Sequence, residues 1–195
     1  MTKVIVGLGN PGPRYANTRH NAGHHIIGEL LERCDANLSR HRSGALIAEV
    51  RLGIGAGGLP GPAAILAIPN SYMNVSGRTT HALVRYFDLD VSDLLVIHDE
   101  LDLPAHTLRL KTGGGEGGHN GLKSISQALG TRAYQRLRIG IGRPPQRMDP
   151  AVYVLNQIPR GQRADWAVTI AEGADVVTDV VTNGFAAAQM RLHSS

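Results

Sequence analysis

Apolar residues fall along this chain in two alternating kinds of run. Val4–Leu8, Ala63–Ile68 and Leu94–Ile97 are short and unbroken, the pattern of strands covered on both faces. Ala45–Leu52 and Ala63–Ile68 flank the turn GIGAGGLPG, which predicts a hairpin, and Leu108–Lys111 and Arg136–Ile141 read as two further strands. Between the strands the period lengthens. After Thr18, a candidate N-cap, Ala22, Ile26 and Leu30 repeat at helical spacing beside Ile27, Leu31 and Cys34. Val75–Phe87 is predicted helical with Thr79, Ala82, Leu83, Tyr86 and Phe87 on one face. Leu122–Leu129 is a short helix, and Arg163–Val181 is the longest, with a stripe of Trp166, Ile170, Ala174, Val177 and Val181.

Strands alternating with helices, without an internal repeat or a domain boundary, predict an α/β fold spanning residues 1–195 as a single domain. The expected form is a three-layer α/β/α sandwich around a mixed, mostly parallel sheet. Ligands of such sheets sit outside the carboxyl ends of the strands. Four polar, glycine-rich segments each follow a predicted strand: GNPGPRYANTRHN, PNSYMN, HDELD and GGGEGGHNG. Loops gathered at one sheet edge would bring them into one site.

Composition narrows the class without choosing a partner. The 195 residues are 42% hydrophobic and 18% charged, in the globular range. Cys34 is the single cysteine, so an intramolecular disulfide and a cysteine zinc cluster are excluded, and a reducing compartment is expected. No apolar run approaches the ~18 residues of a membrane helix, and MTKVIVGLGNPG lacks the regions of a signal peptide. A soluble cytoplasmic protein is the expectation. A net charge of +4 suits an anionic partner such as nucleic acid, and equally an ordinary basic domain.

The motifs carry more. Gly7-Leu8-Gly9-Asn10-Pro11-Gly12 fits G-x-G-x-x-G after a strand, yet Pro11 and Pro13 remove backbone donors that a pyrophosphate would use, and the next helix starts late. His20 is either a surface residue of a first turn or a base, the second only if a carboxylate orients it. His24 lies four residues on, but no HExxH pattern supports a metal site. Asp99, in an acidic turn with Glu100 and Asp102, is the candidate orienting carboxylate. Asn10, Asn74 and Asn120 suit peptide groups or a developing oxyanion, or are turn residues; Met73 is cleft wall or core. Lys111, Arg136 and Arg138 border the glycine-rich segment as phosphate ligands or as solvated charges. Without a G-x-S-x-G elbow, an activated water is the simpler hydrolytic scheme.

Taken in order, VGLGNPGPRYANTRHNAG, PNSYMNVSG, HDELDLP, GGGEGGHNGLKSI and YQRLRIGIGRP resemble the signatures of the bacterial peptidyl-tRNA hydrolase family. The resemblance implies an esterase that frees tRNA from stalled or dropped-off peptides, cutting between the peptide carboxyl end and the terminal ribose. It implies His20 as general base and Asp99 as its orienting partner. Asn10, Asn74 and Asn120 would hold the peptide and the attacked ester, and Asn120 would also help place the water. Tyr15, Met73 and His119 would line the cleft, and Lys111 and Arg138 would bind a tRNA phosphate. Arg143–Val152 would be a mobile lid. The family works without metal or nucleotide cofactor, mostly as monomers, with peptidyl-tRNA as its partner and neither a membrane nor an obligate protein partner. A non-catalytic RNA-binding protein on the same fold is the alternative, disfavoured by the presence of His20, Asp99 and all three asparagines; a nucleotide-dependent oxidoreductase is more remote.

Overall fold

The computed structural model describes residues 2–195. Its sheet has seven strands: β1 (Lys3–Gly7), β2 (Ser39–Arg40), β3 (Ala45–Arg51), β4 (Ala63–Pro69), β5 (Leu94–Glu100), β6 (Leu108–Thr112) and β7 (Gln135–Gly140). Their spatial order is β2-β3-β4-β1-β5-β7-β6. The four central strands β4, β1, β5 and β7 run parallel, while β3 and β6 join antiparallel at either side and β2 is a short outer strand. The sheet is mixed, as the alternation of strands and helices predicts, with the parallel part confined to its centre.

Central strands need cover on both faces because Val4, Ile5, Val6 and Leu94–Ile97 are apolar in every position and none is exposed. On one face lie α1 (Ala22–Arg33), α5 (Arg163–Asn183) and α6 (Phe185–Ser194). Ile26, Ile27, Leu30, Ile170, Ala174, Val177 and Val180 meet Ile5, Leu95, Ile97 and Leu137 there. On the other, α2 (Ser76–Tyr86) and α3 (Asn120–Leu129) bring Leu83, Val84, Leu122 and Ile125 onto Val4, Val6 and Val96. The result is the expected single α/β/α unit.

Three expectations shift. Thr18 does not cap α1: its hydroxyl donates to the Tyr15 carbonyl at 2.8 Å, and a 3-10 turn at Arg19–Asn21 precedes the helix. The buried face of α2 is Ser76, Gly77, Thr79, Thr80, Leu83 and Val84, so Thr79 and Leu83 are buried as expected, whereas Tyr86 is exposed. The stripe of α5 also takes in Thr169, Gly173 and Val180, with Val181 partly buried against the same core. Helix α6 falls outside the sequence expectation. It covers the outer edge of β6: the Leu110 N–H donates to His193 Nε2 at 3.2 Å, and Gln189 Nε2 donates to the Leu110 carbonyl at 3.0 Å. An edge strand left bare would invite pairing with another chain.

One close approach sets where α1 begins. Gly7 on β1 and Gly23 on α1 meet backbone to backbone, so a Cβ on Gly23 would overlap the Leu8 amide and the Ile97 carbonyl. This contact seats the amino end of α1 directly above the ends of β1 and β5. Gly28, on the same helix, has nothing within 4 Å of its missing Cβ. Gly23→Ala should therefore destabilise the protein by about 1–3 kcal/mol through overpacking. Gly28→Ala should be neutral or stabilising by up to about 1 kcal/mol through helix propensity. Denaturant midpoints of the two variants check the contrast; equal effects would remove the close-packing account.

Candidate active site

β5 does not stop at its apolar run. Pairing with β7 continues to Glu100↔Gly140, so Asp99 is held on strand backbone rather than in the acidic turn that the sequence suggests. Asp99 is 3% exposed. His20 Nδ1 lies 3.1 and 3.0 Å from its two carboxylate oxygens. His119 Nε2 lies 2.9 Å from Oδ1. Burial of Asp99 works to raise its pKa; the two imidazoles outweigh it and hold the carboxyl well below the usual carboxylate range. At His20 burial favours the neutral ring, but the Asp99 charge and hydrogen bond reverse that and raise the imidazole pKa.

Separate elements supply the two imidazoles. His20 stands in the 3-10 turn before α1. Its neighbour Asn21, 2% exposed, accepts from the Asn10 amide at 2.9 Å and donates to the Asn10 carbonyl at 3.0 Å. Asn10 Oδ1 in turn accepts from the Met73 amide at 2.8 Å. The first two polar segments are thereby knitted together, with the Asn10 NH₂ group left over. Asn21 gives no signal in the sequence beyond being one more asparagine in a loop. The glycines of GLGNPG have the same kind of role: Gly7 lets α1 approach, and a side chain on Gly9 would strike the His24 ring. Buried His24 is pushed down to about 4 by desolvation, then by the charge of His25, so it stays neutral.

His119 is the N-cap of α3. Its Nδ1 accepts from the Gly121 and Leu122 amides at 3.1 and 3.3 Å. That leaves Nε2 as the protonated nitrogen, donating to Asp99. Asn120 follows as the first residue of the helix, its backbone N–H outside the helical ladder. His98 packs edge-on to His119 at 5.2 Å, and its Nδ1 donates to the Asp99 carbonyl at 2.8 Å. Desolvation first, then the neighbouring His119, pushes His98 down to about 3.

A cleft of about 270 Å³ opens in front of this group, lined by His20, Asp99, His119 and Asn120, with Glu100, Leu101, Gly117 and Gly118. Its far wall is α4 (Pro150–Leu155), through Pro150, Ala151 and Val154, together with Asp149. The expected lid segment thus ends in a helix. Asp149 caps it by accepting from the Ala151 amide at 2.9 Å, and Pro150 occupies its first turn. Asp followed by Pro is the ordinary sign of a helix start and was there to be read.

The other expected residues are not among those that line the cleft. Met73 is 4% exposed and belongs to the core beneath α3. Asn74 is exposed on the adjoining loop, and Tyr15 is half-buried, edge-on to Tyr72 at 6.3 Å. Lys111 and Arg138 lie on β6 and β7, to the side of the cleft, and Arg138 Nη1 is 3.8 Å from Glu100 Oε1. Arg136, grouped with them from sequence, is 1% exposed and donates to the carbonyls of Gly115 and Gly114, so it is not a surface ligand.

His20, Asp99 and His119 offer one ligand atom each within 4.8 Å, which raises the question of a metal. Both ring nitrogens that face Asp99 are engaged with its oxygens, and the remaining His119 nitrogen accepts two helix amides. A cation there would have to displace both N–H donors.

The sequence profile of a family described as peptidyl-tRNA hydrolase matches residues 4–195. The chain is 52% identical over 191 residues to the peptidyl-tRNA hydrolase of Kineococcus radiotolerans, covering 98% of this chain and 96% of that protein. It is 51% identical over 193 residues to that of Rhodococcus opacus, covering 98% of each. A crystal structure of peptidyl-tRNA hydrolase from Acinetobacter baumannii superposes with a TM-score of 0.85 at 32% identity, spanning 98% of this chain and 94% of that one.

Since the carboxylate is already shared by two imidazole N–H groups, dialysis against EDTA should leave hydrolytic activity unchanged. A loss that zinc or magnesium restores would show instead that the trio is a metal centre.

Proposed function

The chain belongs to the peptidyl-tRNA hydrolase family, and from that premise we propose that it hydrolyses the ester between peptide and tRNA with a water molecule activated by His20. The observation that carries this reading is the sharing of Asp99: His20 Nδ1 is committed to the carboxylate, so Nε2 is the nitrogen free to take a proton. His20 Nε2 removes a proton from water as its oxygen attacks the ester carbonyl carbon, and Asp99 stabilises the imidazolium that forms. The tetrahedral intermediate then collapses. The ester C–O bond breaks, the ribose oxygen takes the proton back, and a peptide acid and free tRNA leave.

Neutral donors suit the oxyanion. Asn10 has its side-chain oxygen tied to the Met73 amide, so it offers only N–H groups. Asn120 offers its side-chain amide and its free backbone N–H at the positive end of α3, and Asn74 adds a third amide on the adjoining loop. Tyr15 and Met73 flank this group, and His119 braces Asp99. An ester is a better acyl donor than an amide, so one base and a few such donors suffice. Lys111 and Arg138 bind a phosphate of the tRNA, away from the reacting carbon. Among the described residues no helix is long and apolar enough to cross a membrane. The reading takes the protein to act in the cytoplasm as a monomer, on tRNA left charged with peptide, with no protein partner required and the segment 143–152 as its lid.

Release of free tRNA from peptidyl-tRNA tests the base. His20→Ala should slow it by roughly 10²–10⁴-fold. With the His20 pKa raised, kcat/KM of the parent protein should fall as pH drops through a value above the ordinary 6.5 of histidine. Asp99→Asn removes the negative charge that favours imidazolium, so its acid limb should lie at lower pH while its maximal rate is reduced. An unchanged acid limb in Asp99→Asn would refute the pairing.

Phosphate binding has a separate signature. Lys111→Ala and Arg138→Ala should each raise KM for peptidyl-tRNA with much less effect on kcat. Each should flatten the dependence of log affinity on log salt by up to about one unit. A short ester of the terminal adenosine, lacking the tRNA stem, should be cut equally by parent and variants. Equal losses on both substrates would show that the two residues support the fold instead.

A further inference from the structure

We infer that Arg136 is a positioning residue that pins the glycine-rich loop in the one path linking the phosphate-binding pair to the reacting group. The inference rests on the assignment of Lys111 and Arg138 proposed above. It begins with a topological difficulty. β6 runs antiparallel to β7, so its last residue, Thr112, lies opposite Gln135, which lies opposite Leu95 at the beginning of β5. Asp99 is opposite Ile139, four residues further along the sheet. The loop between Thr112 and His119 therefore starts at the wrong sheet edge and must run back about 13 Å at 3.3 Å per strand residue before His119 can reach Asp99.

The loop is poorly suited to keeping that path alone. Residues 113–118 are glycine but for Glu116, and four of them have positive φ: Gly113 (68°), Gly114 (93°), Gly117 (58°) and Gly118 (79°). Such a segment is free to take many other courses. Arg136 removes that freedom from beneath. Its Nη1 donates to the Gly115 carbonyl at 2.7 Å and its Nη2 to the Gly114 carbonyl at 3.0 Å, so one planar fork grips two consecutive peptide groups. The guanidinium sits 4.7 Å from the Tyr134 ring centre, and Arg136 forms no ion pair with a carboxylate among the described residues. A compact ammonium could not hold both carbonyls in this way.

Cross-strand register puts this grip between the two ends that matter. Arg136 stands opposite Lys111 on β6 and two residues from Arg138 on β7, so the three cations share one face. A Cβ on Gly114 would come 2.5 Å from Lys111 Nζ, so the loop lies directly against the end of the Lys111 side chain. Downstream the same loop delivers His119 to Asp99 and Asn120 to the cleft. Arg136 thus fixes the offset between tRNA phosphate and ester, and its own unpaired charge adds to the field that draws the phosphate in.

The test compares Arg136→Lys, which keeps the charge and loses the fork, on full peptidyl-tRNA and on the truncated adenosine ester. Loosening His119 should lower kcat somewhat on both substrates. Loosening Lys111 should add a further loss in kcat/KM of roughly tenfold on the full substrate alone, expressed in KM. In a Lys111→Ala background that extra loss should largely vanish, because the two residues act through one contact. Gly114→Ala disturbs the same loop from above and leaves the buried arginine in place, so it should reproduce the extra loss if Arg136→Lys folds poorly. Equal losses on both substrates, no loss on either, or an extra loss undiminished by Lys111→Ala would overturn the inference while leaving the phosphate assignment standing, provided Lys111→Ala alone raises KM. If Lys111→Ala alone leaves KM unchanged, the phosphate assignment fails and this inference fails with it.

Discussion

A carboxylate that is 3% exposed has to be surrounded by donors, and the arrangement of this protein follows from how Asp99 finds them. Removing one partner of a buried charge pair destabilises by about 3–5 kcal/mol, a large part of the 5–15 kcal/mol that keeps an ordinary domain folded. The two donors come from opposite sides of the sheet. His20 arrives with the turn that opens α1, and His119 with the cap that opens α3. Both helices are therefore registered against one side chain on β5. The interaction that orients His20 is also the one that fixes where these helices start, so a change that loosens the His20–Asp99 pair must also loosen the fold around it.

Glycine has three distinct tasks in this arrangement, and none of them is to cradle a phosphate by its backbone. Gly7 and Gly23 permit backbone contact between β1 and α1, and Gly9 makes room for the His24 ring. Gly121 allows the Met73 sulfur and Leu8 to close on the first turn of α3. In residues 113–118 glycine supplies positive φ for a chain that must double back along the sheet. The G-x-G-x-x-G pattern near the amino end thus has a packing cause here. Its spacing repeats that of a dinucleotide loop because both motifs let a helix lie close against the strand before it.

Much of this was legible in the sequence because the signals were local. Apolar runs marked the central strands, three- and four-residue spacing marked α1 and α5, and loops after β1, β4 and β5 do gather at their carboxyl ends. What escaped was set by partners distant in sequence. Asp99 reads as part of an acidic turn, since HDELD packs three carboxylates into five residues, yet β7 extends the ladder across it. Arg136 reads as one of three border cations because β7 offers no means of knowing that the glycine-rich loop will lie over it. Asn21 holds Asn10 through its amide, and its role depends on a loop fold that spacing does not encode. Helices α4 and α6 are of another kind: Asp149-Pro150 and the Phe185, Ala188, Leu192 spacing were present but short.

Sharing the carboxylate also bears on how basic the His20 imidazole becomes. Two influences on His20 oppose each other: burial disfavours its charged form, and Asp99 favours it, with the second prevailing. If Asp99 belonged to His20 alone, its whole charge would pull on that proton, and the ring would tend to be occupied before a substrate arrived. His119 donates to the same oxygen and stabilises the carboxylate whether or not His20 is protonated. Donation of this kind weakens the pull on His20, and with Nδ1 accepting helix amides the hydrogen that His119 gives to Asp99 is the one on Nε2. A general base works best when its pKa is near the operating pH. The cap of α3 therefore does more than start a helix: by taking part of the Asp99 charge it tempers how far Asp99 raises the basicity of His20, which suits the proposed role of that ring as base.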